Sequence, residues 1–418
     1  MRVLIANTHS ALNAGDLAIT LAEVQLLRRD LACEAVTITS RTPVVDREFL
    51  APLGVRVLSP IVPAPSVFAG TVKKAFRTVG NCIAVPSKIG LINEMKRCDL
   101  VIGSGGGYFW SNRRRFPGPM FFQNYLHLRL ACLLKKPVVL FPQSIGPFYN
   151  PTVARLLCRL LNHENVISVL AREDLSYGVA RGLLEKRNKY KVERCPDMAF
   201  CLERSSEHSP DSTLDLPKPL IAITARQWDF PELPTRKEKQ QKQSEYLDAL
   251  VHGCLGIHAK WHGSLMVFAQ ARGPGTFEDD SALSNELIRR LREHMPPDRV
   301  VGIQLAGVVP PARLIHLLSH ADLLIATRFH SAIFAFLAGT PAISIAYQPK
   351  STGIMSSLGL DRFSLDIGAV SPDILRQLAG EILANYQELQ ANLIGRVELL
   401  RRTAMSKLKI ALAAPWAR

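Results

Sequence analysis

The sequence predicts an α/β protein with two Rossmann-like domains, and three observations lead to this fold class. The chain has 418 residues, which is more than one hydrophobic core usually supports, so two domains are expected. In both halves, short runs rich in Val, Ile and Leu alternate with helical stretches, as in a parallel sheet covered by helices. Between the halves, residues 203–218 are polar, contain two prolines and lack an apolar period, which is typical of an exposed linker.

The first half begins with a strand, a loop and a helix. Residues 2–6 form an apolar run, residues 7–15 carry the Asn and Gly of a turn, and residues 16–29 have apolar side chains at helical spacing. Five further apolar runs are predicted as buried strands, at residues 35–39, 55–58, 100–102, 138–141 and 166–170.

The second half repeats this alternation. Strands are predicted at residues 220–224, 264–269, 300–304, 323–326 and 342–346, with helices at 238–260, 281–294 and 311–320. From residue 371 the pattern is helical to about residue 412, with a break near Asn385. We therefore predict domains at 1–205 and 218–370 and a C-terminal helical segment at 371–418. Two such domains facing a cleft indicate the architecture of B-type glycosyltransferases, whose ligands bind beyond the carboxyl ends of the strands.

The net charge of +15 favours negatively charged partners. The excess is uneven, because residues 61–97 hold six basic residues and one acid, Glu94. This side is either simply solvated or rests on the inner membrane leaflet, where each basic residue adds about 1 kcal/mol of attraction to anionic lipid. The first residues show no secretory signal and no run of 18 apolar residues occurs, so a cytoplasmic location is predicted, with peripheral contact at the inner membrane face left open.

Several motif classes are absent from the sequence. The eight cysteines form no C-x-x-C pair, which favours reduced thiols in the cytosol. No P-loop and no H-E-x-x-H motif occurs, so neither a metal nor a cofactor is predicted. No basic stretch carries interleaved aromatic residues and no zinc-finger signature is present, which argues against nucleic acid as a partner.

Three polar or glycine-rich segments follow predicted strands of the first half. In residues 13–16 (NAGD), Asp16 can cap the following helix, and the free amides of that helix can also hold a hydroxyl or an anion. The run at residues 103–107 (GSGGG) is either a turn or a bed of backbone amides on which a substrate lies. Residues 141–147 (FPQSIGP) are predicted as a turn that presents Gln143 and Ser144 to a sugar.

Basic side chains follow three predicted strands of the second half. One such residue would be ordinary surface, but a set at successive strand ends can converge on one anion. Arginine binds carboxylate and phosphate oxygens bidentately, and lysine acts as a point charge. An imidazole in the set is a candidate proton-transfer group, because it titrates near neutrality. The set consists of Arg226, Arg328, His330 and Lys350.

The ordered motifs of the chain resemble those of the polysaccharide pyruvyl transferase family over about residues 1–365. Each glycine-rich piece is a weak signal, whereas the order of the pieces and the R-x-H helix followed by Y-x-x-K are fairly specific. One position departs from the family pattern, because Met198 stands where Pro is expected. The motifs are NAGD, IGSGGGYF, FPQSIGP, AREDLSY, PDMAF, TRFHSAIFAFLAGTPAISIAY and YQPKSTGIMSSLGL.

This resemblance implies an enzyme that uses phosphoenolpyruvate as its donor and commonly leaves a pyruvate ketal on a sugar. The acceptor would be a polysaccharide or its lipid-linked precursor. His330 is expected to transfer the proton, and Asp16 is a candidate base. By motif match, the donor's phosphate and carboxylate are assigned to Arg226, Arg328 and Lys350. The acceptor is assigned to the first domain, near Asn13, Asp16, Gly105, Gly106, Gly107 and Gln143.

Two other functions compete with pyruvyl transfer. A nucleotide-sugar glycosyltransferase would use the same architecture and basic strand ends, but it would normally place a carboxylate for the ribose, and no Glu follows residues 328–347 at the expected place. A noncatalytic scaffold of a polysaccharide-assembly complex would use only the basic face. Loss of activity in a folded His330→Ala variant would argue against that scaffold.

Overall fold

The structure is a computed structural model that describes residues 1–61, 86–111, 118–203, 216–347 and 349–416. Most of the basic segment considered for membrane contact and most of the predicted linker, at residues 62–85 and 204–215, lie outside these residues. The chain forms two compact units, each built on a parallel sheet with helices against it. The predicted α/β fold class is therefore confirmed.

The first unit comprises Met1–Ala11, Asp16–Glu203 and Arg401–Arg418. Its sheet has the order β3-β2-β1-β4-β6-β7-β8, with β5 beside β6. The strands are β1 Arg2–Ala6, β2 Ala35–Thr39, β3 Val55–Leu58, β4 Leu100–Gly103, β5 Gly106–Ser111, β6 Val138–Phe148, β7 Val166–Ala171 and β8 Val192–Arg194. The helices are α1 Ala14–Leu31, α2 Pro43–Leu50, α3 Pro86–Arg97, α4 Pro119–Leu133, α5 Pro151–Leu161 and α6 Asp174–Leu183.

The second unit comprises Leu12–Gly15 and Arg204–Leu400. Its sheet has the order β11-β10-β9-β12-β13-β14. The strands are β9 Leu220–Thr224, β10 Ser264–Phe268, β11 Val300–Ile303, β12 Leu323–Ala326, β13 Ala342–Ala346 and β14 Ser364–Asp366. The helices are α7 Arg236–Trp261, α8 Ser281–Arg292, α9 Pro311–Ser319, α10 Phe329–Ala338, α11 Pro349–Ser357, α12 Pro372–Ala384 and α13 Tyr386–Ala413. The helical break predicted near Asn385 is confirmed.

Local chemistry explains why these elements form. The run Leu100, Val101 and Ile102 is fully buried, as expected for a central parallel strand covered on both faces. Helix α7 begins at a capping box in which the Thr235 hydroxyl accepts from the Glu238 amide at 3.2 Å and the Glu238 carboxylate accepts from the Thr235 amide at 3.0 Å. Two backbone amides at the helix start thereby find acceptors.

The prediction of a turn at residues 141–147 is wrong, because these residues continue β6. Prolines and a glycine normally interrupt a strand. Here β5 pairs with one side of this stretch, at Gln143 and Ile145, and β7 pairs with the other side at Gln143. Strand pairing on both sides keeps the segment extended despite its sequence.

Both sheets reverse their strand order beside their first strand. In the first unit β1 lies between β2 and β4, and in the second unit β9 lies between β10 and β12. Helices leave such a point toward opposite faces of the sheet, and the resulting crevice at the carboxyl ends of the strands is where α/β sheets bind ligands. The β1/β4 and β9/β12 edges are therefore the places to look for a site.

Candidate functional site

The second unit brings three of the predicted site residues to its β9/β12 edge. Arg226 follows β9, Arg328 follows β12, and His330 lies in the first turn of α10. The two strands are paired in register from Leu323↔Ile221 to Ala326↔Thr224, so the segments that follow them begin side by side. Pairing of β9 with β12 thus places side chains that are about 100 residues apart in sequence in one neighbourhood.

Arg226 lies between two aromatic rings. Its guanidinium carbon is 4.3 Å from the centre of the Tyr347 ring and 5.4 Å from that of Trp228. Burial lowers the pKa of Arg226, and the positive charge of Arg328 lowers it further. The Tyr347 side chain acts in the opposite direction and raises it. Its Nε is buried and has no hydrogen-bond partner among the described residues. The side chain therefore packs against two aromatic rings, and its Nε keeps donor capacity for an anion.

Arg328 has an acidic partner that the sequence did not indicate. Its Nε and Nη2 donate to the two carboxylate oxygens of Asp280 at 2.8 and 2.6 Å, and Nη2 also donates to the carbonyl of Glu278 at 3.0 Å. Arg328 and Asp280 are both buried. Burial opposes the charge of Arg328, but the carboxylate outweighs it and raises the pKa. The pair offers an anion little net charge, so Arg226 is the stronger candidate for direct contact.

His330 packs on Phe329 in an edge-to-face arrangement with ring centres 4.9 Å apart. On its other side it lies against Gly15, where a Cβ atom would overlap the imidazole. Gly15 and Asn13 belong to the second unit, although the sequence assigned Asn13 to the first domain with the acceptor. The side chain of Lys350 lies outside the described part of the chain.

At the β1/β4 edge of the first unit, Asp16 forms a cluster with three residues that sequence reasoning missed. Nδ1 of His9 lies 3.2 Å from the Asp16 carboxylate, and Nε2 contacts the guanidinium of Arg41. Because a guanidinium can only donate, Nε2 accepts and Nδ1 carries the proton that faces Asp16. The His9 ring stacks on Tyr108 at 6.2 Å. The Arg41 contact thus sets the tautomer of His9, and the Asp16 carboxylate lies beside the protonated nitrogen.

The glycine-rich segment of the first unit rests on a buried carboxyl group, Glu23. The backbone N–H of Gly105 donates to Glu23 at 2.7 Å, and the Ser104 hydroxyl donates at 3.0 Å. Burial raises the pKa of Glu23 from about 4.5 to about 8, and the two hydrogen bonds only partly oppose it. The Gly105 amide, one of those predicted to hold the acceptor, is therefore used inside the fold.

The other predicted acceptor residues occupy distinct positions. Gln143 is fully buried; its side-chain nitrogen donates to the carbonyl of Ser104, and its Oε1 has no hydrogen-bond partner within the described ranges. Gly106 has a φ of +138°, and a Cβ there would come within 2.6 Å of the Tyr108 ring. Gly107 continues β5. The structure brings these residues to the same edge as Asp16.

A second buried network joins Ser144 of β6 to the segment that follows β7. Arg172 donates to Asp197 at 2.6 Å and to the Ser144 hydroxyl at 3.1 Å, and both charged side chains are buried. Glu173 accepts from Ser144 at 3.1 Å. These contacts tie the AREDLSY and PDMAF motifs to the middle of FPQSIGP.

The comparisons with known proteins decide the family. The family model described as polysaccharide pyruvyl transferase matches residues 13–349. The chain belongs to the polysaccharide pyruvyl transferase family. This pyruvyl transferase is 25% identical over 439 residues to the amylovoran biosynthesis protein AmsJ of Erwinia amylovora, a match that covers 95% of this chain and 96% of AmsJ. The enzyme is thus a transferase with a role in polysaccharide synthesis.

Solved structures with the same fold are much more distant in sequence. HepE of Anabaena, in complex with UDP and glucose, is 13% identical with a TM-score of 0.58, covering 100% of this chain and 99% of HepE. A putative UDP-N-acetylglucosamine 2-epimerase from Listeria monocytogenes is 13% identical with a TM-score of 0.62, covering 100% and 96%. At these identities the likeness bears on fold alone. It confirms that the pyruvyl transferase has two Rossmann-like domains of the B type.

Within the described residues of the pyruvyl transferase, no cluster of three or more His, Cys, Asp or Glu side chains is arranged to hold a metal ion. In the same part of the chain, no helix combines the length and apolarity that crossing a bilayer would require.

The buried Glu23 predicts a pH effect on the stability of the pyruvyl transferase. The folded state keeps a proton on Glu23 up to about pH 8, whereas the unfolded chain releases it near pH 4.5. The free energy of unfolding therefore falls between these values as pH rises, by up to about 1.4 kcal/mol per pH unit from this group. Glu23→Gln cannot titrate and removes this contribution.

Urea unfolding at about pH 5.5 and about pH 7.5 tests this effect. The stability of Glu23→Gln relative to the wild type should increase at the higher pH. Glu48→Gln, a change to an exposed carboxyl on α2, should follow the wild type at both values. A difference between Glu23→Gln and the wild type that does not change with pH would mean that Glu23 is ionised in the folded protein.

Proposed function

We propose that this protein transfers the pyruvyl group of phosphoenolpyruvate to two hydroxyl groups of a sugar and leaves a pyruvate ketal. The observation that carries the proposal is the Arg226 guanidinium at the β9/β12 edge, in a chain of the pyruvyl transferase family. Phosphoenolpyruvate is a compact anion with a carboxylate and a phosphate, both of which an arginine can bind with two donors.

The second unit supplies the groups that such a donor requires. Arg226 is held by Trp228 and Tyr347, which shield it from water and strengthen its attraction to an anion. The charge of the neighbouring Arg328 is balanced by the Asp280 carboxylate at 2.6 Å. Lys350, the residue after the end of the family match, is proposed as a further contact for the phosphate.

The proposed reaction needs one proton donor and groups that accept the hydroxyl protons. His330 gives a proton to the methylene carbon of phosphoenolpyruvate, which becomes a methyl group and leaves positive charge at C2. One sugar hydroxyl attacks C2, and its proton passes to the base, proposed as Asp16, which releases it to water while His330 takes up a proton from water. The C2–O bond to phosphate then breaks, the second hydroxyl closes the ketal, and its proton leaves with the phosphate. Arg226 stabilises the charge that grows on the departing phosphate.

The acceptor is proposed to bind at the β1/β4 edge of the first unit. Asp16 is the group there that is proposed to receive a hydroxyl proton, and Gln143 has a buried oxygen close to the glycine-rich segment. The name of AmsJ, an amylovoran biosynthesis protein, suggests an exopolysaccharide unit or its lipid-linked precursor as the acceptor. We place the reaction in the cytoplasm, with peripheral contact at the inner membrane face where the acceptor is lipid-linked.

Calorimetric binding of phosphoenolpyruvate to wild type and Arg226→Ala tests the donor. Loss of the charge-assisted hydrogen bonds should raise the dissociation constant by at least about 30-fold, which corresponds to about 2 kcal/mol. Arg289→Ala is the matched control, because Arg289 lies on the exposed face of α8 and pairs there with Glu286 and Glu293. It should bind like the wild type.

UDP-glucose and GDP-mannose are run beside phosphoenolpyruvate as rival donors. Saturable binding of either nucleotide sugar, with none of phosphoenolpyruvate, would reject the pyruvyl donor and make the protein a glycosyltransferase. Equal binding of phosphoenolpyruvate by Arg226→Ala and wild type would move the donor site away from the β9/β12 edge.

A further inference from the structure

The four residues Leu12–Gly15 pack within the second unit, beyond the end of β10. The backbone N–H of Arg272 donates to the carbonyl of Leu12 at 2.8 Å, and Asn13 forms an antiparallel bridge with Ala271. The NAGD motif, which the sequence assigned to the acceptor, therefore begins as part of the unit that contains His330.

Gln270 connects this segment to the helix of His330. Its side-chain oxygen accepts from the hydroxyl of Ser331, the residue after His330, and its side-chain nitrogen donates to Oδ1 of Asn13 at 3.4 Å. The same Asn13 oxygen accepts from the backbone N–H of Gly15 at 3.0 Å. Gln270 is 1% exposed. One buried amide thus ties the start of α10 to Asn13, the residue that immediately precedes α1.

Gly15 lies directly against the imidazole at the end of this chain of hydrogen bonds. A Cβ atom at Gly15 would overlap Nδ1 and Cγ of His330 and come within 2.7 Å of its Cβ. The φ of Gly15 is not in the left-handed region, so the backbone does not require glycine. Because the obstructing atoms include the His330 Cβ, rotation of the ring alone cannot make room. The closeness of His330 is what requires glycine here.

We propose that Gln270 and the segment at residues 13–15, where α1 begins, form a platform that fixes the imidazole of His330, with Gln270 as a positioning residue for proton transfer. The role in proton transfer rests on the proposed function. The fixed orientation of the His330 ring does not depend on it. Proton transfer to carbon depends on alignment of the donor with its acceptor, and a displacement of about 1 Å can cost about 100-fold in rate.

Two variants disturb the platform and one matched variant leaves it intact. Gln270→Met keeps the side-chain length but removes both hydrogen bonds, and Gly15→Ala inserts a methyl group against the ring. Gln390→Met is the control, because Gln390 donates to the carbonyl of Gly339 at 3.1 Å, at the opposite end of α10. It loosens the same helix without touching the platform.

The first measurement is the ring signal of His330 in protein labelled with ¹³C-histidine, assigned by its loss in His330→Gln. The signal should shift in Gln270→Met and Gly15→Ala and stay in place in Gln390→Met. An unchanged signal in both platform variants would overturn the inference, whatever the donor of the enzyme is.

The second measurement is phosphate release from phosphoenolpyruvate with a panel of p-nitrophenyl hexosides as acceptors. In Gln270→Met we expect kcat to fall by about 100-fold, while KM for phosphoenolpyruvate changes by less than about threefold. A kcat equal to that of the wild type would reject the positioning role. A shifted His330 signal in a protein that neither binds nor turns over phosphoenolpyruvate would instead leave the platform in place and reject the proposed donor.

Discussion

Arg328→Ala is expected to lower the free energy of unfolding by about 3–5 kcal/mol, because it leaves a buried carboxylate without its counter-charge. Asp280 is 1% exposed and receives two of its hydrogen bonds from Arg328. It also accepts from the backbone N–H of Ala271 at 3.2 Å, so it cannot turn out to water without breaking a second contact. Urea unfolding at neutral pH measures this loss.

A paired substitution separates loss of charge balance from loss of packing. Arg328→Met combined with Asp280→Leu removes both charges and fills a similar volume, and it should recover most of the stability lost in Arg328→Ala. Arg289→Ala removes an exposed arginine and should unfold like the wild type. If Arg328→Ala unfolds at the wild-type urea concentration, the buried pair is absent in solution.

This result also affects the choice of variants for the donor site. An Arg328→Ala protein that fails to bind phosphoenolpyruvate has lost either a ligand contact or the arrangement of Asp280 and its neighbours. Arg226 contacts two aromatic rings, and within the described residues it forms no salt bridge with a carboxylate. Its removal therefore leaves no buried carboxylate without a counter-charge. Arg226→Ala is therefore the more informative variant for binding.

The second large effect is expected for His330→Gln, which should lower the turnover of phosphoenolpyruvate by about 10²–10⁴-fold. Glutamine retains a polar side chain of similar reach but cannot transfer a proton at neutral pH. Calorimetric affinity for phosphoenolpyruvate should change by less than about threefold, since Arg226 supplies most of the attraction. Phosphate release with the panel of p-nitrophenyl hexosides gives the rate.

His294→Gln is the control for this experiment, because His294 is exposed at the end of α8. It should retain the wild-type rate. Wild-type turnover in His330→Gln would show that another group transfers the proton, whereas loss of turnover together with loss of affinity would indicate that His330 holds the donor. Only a rate loss with affinity retained supports the proposed role.

Much of the fold follows from local sequence. The strands at residues 2–6, 35–39 and 220–224 have the bounds that the apolar runs predict, because a parallel strand covered on both faces needs a continuous apolar segment. The break at Asn385 is also local, since Asn ends helices readily. In contrast, residues 141–147 carry local turn signals, and strand pairing overrides them.

Only part of the candidate site could be predicted from the sequence. A position just after a strand is a local property, and it correctly brought Arg226 and Arg328 to one sheet edge. Their surroundings are not local: Asp280 lies 48 residues from Arg328 and pairs with it through the tertiary fold. His9 carried a weak signal, since it lies in the loop that follows β1, but its surroundings depend on Asp16 and Arg41.

The sequence by itself determined the family, the alternation of strands and helices, and the cations that follow the strands, because each depends on residues close together along the chain. The tertiary structure alone decided which charges are balanced and which unit the first residues of the NAGD segment belong to. Gln270 meets Asn13 across 257 residues, and Glu23 meets Gly105 across 82. Such contacts depend on strand order and crossover connections, which bring distant segments to one sheet edge and leave no local trace in the sequence.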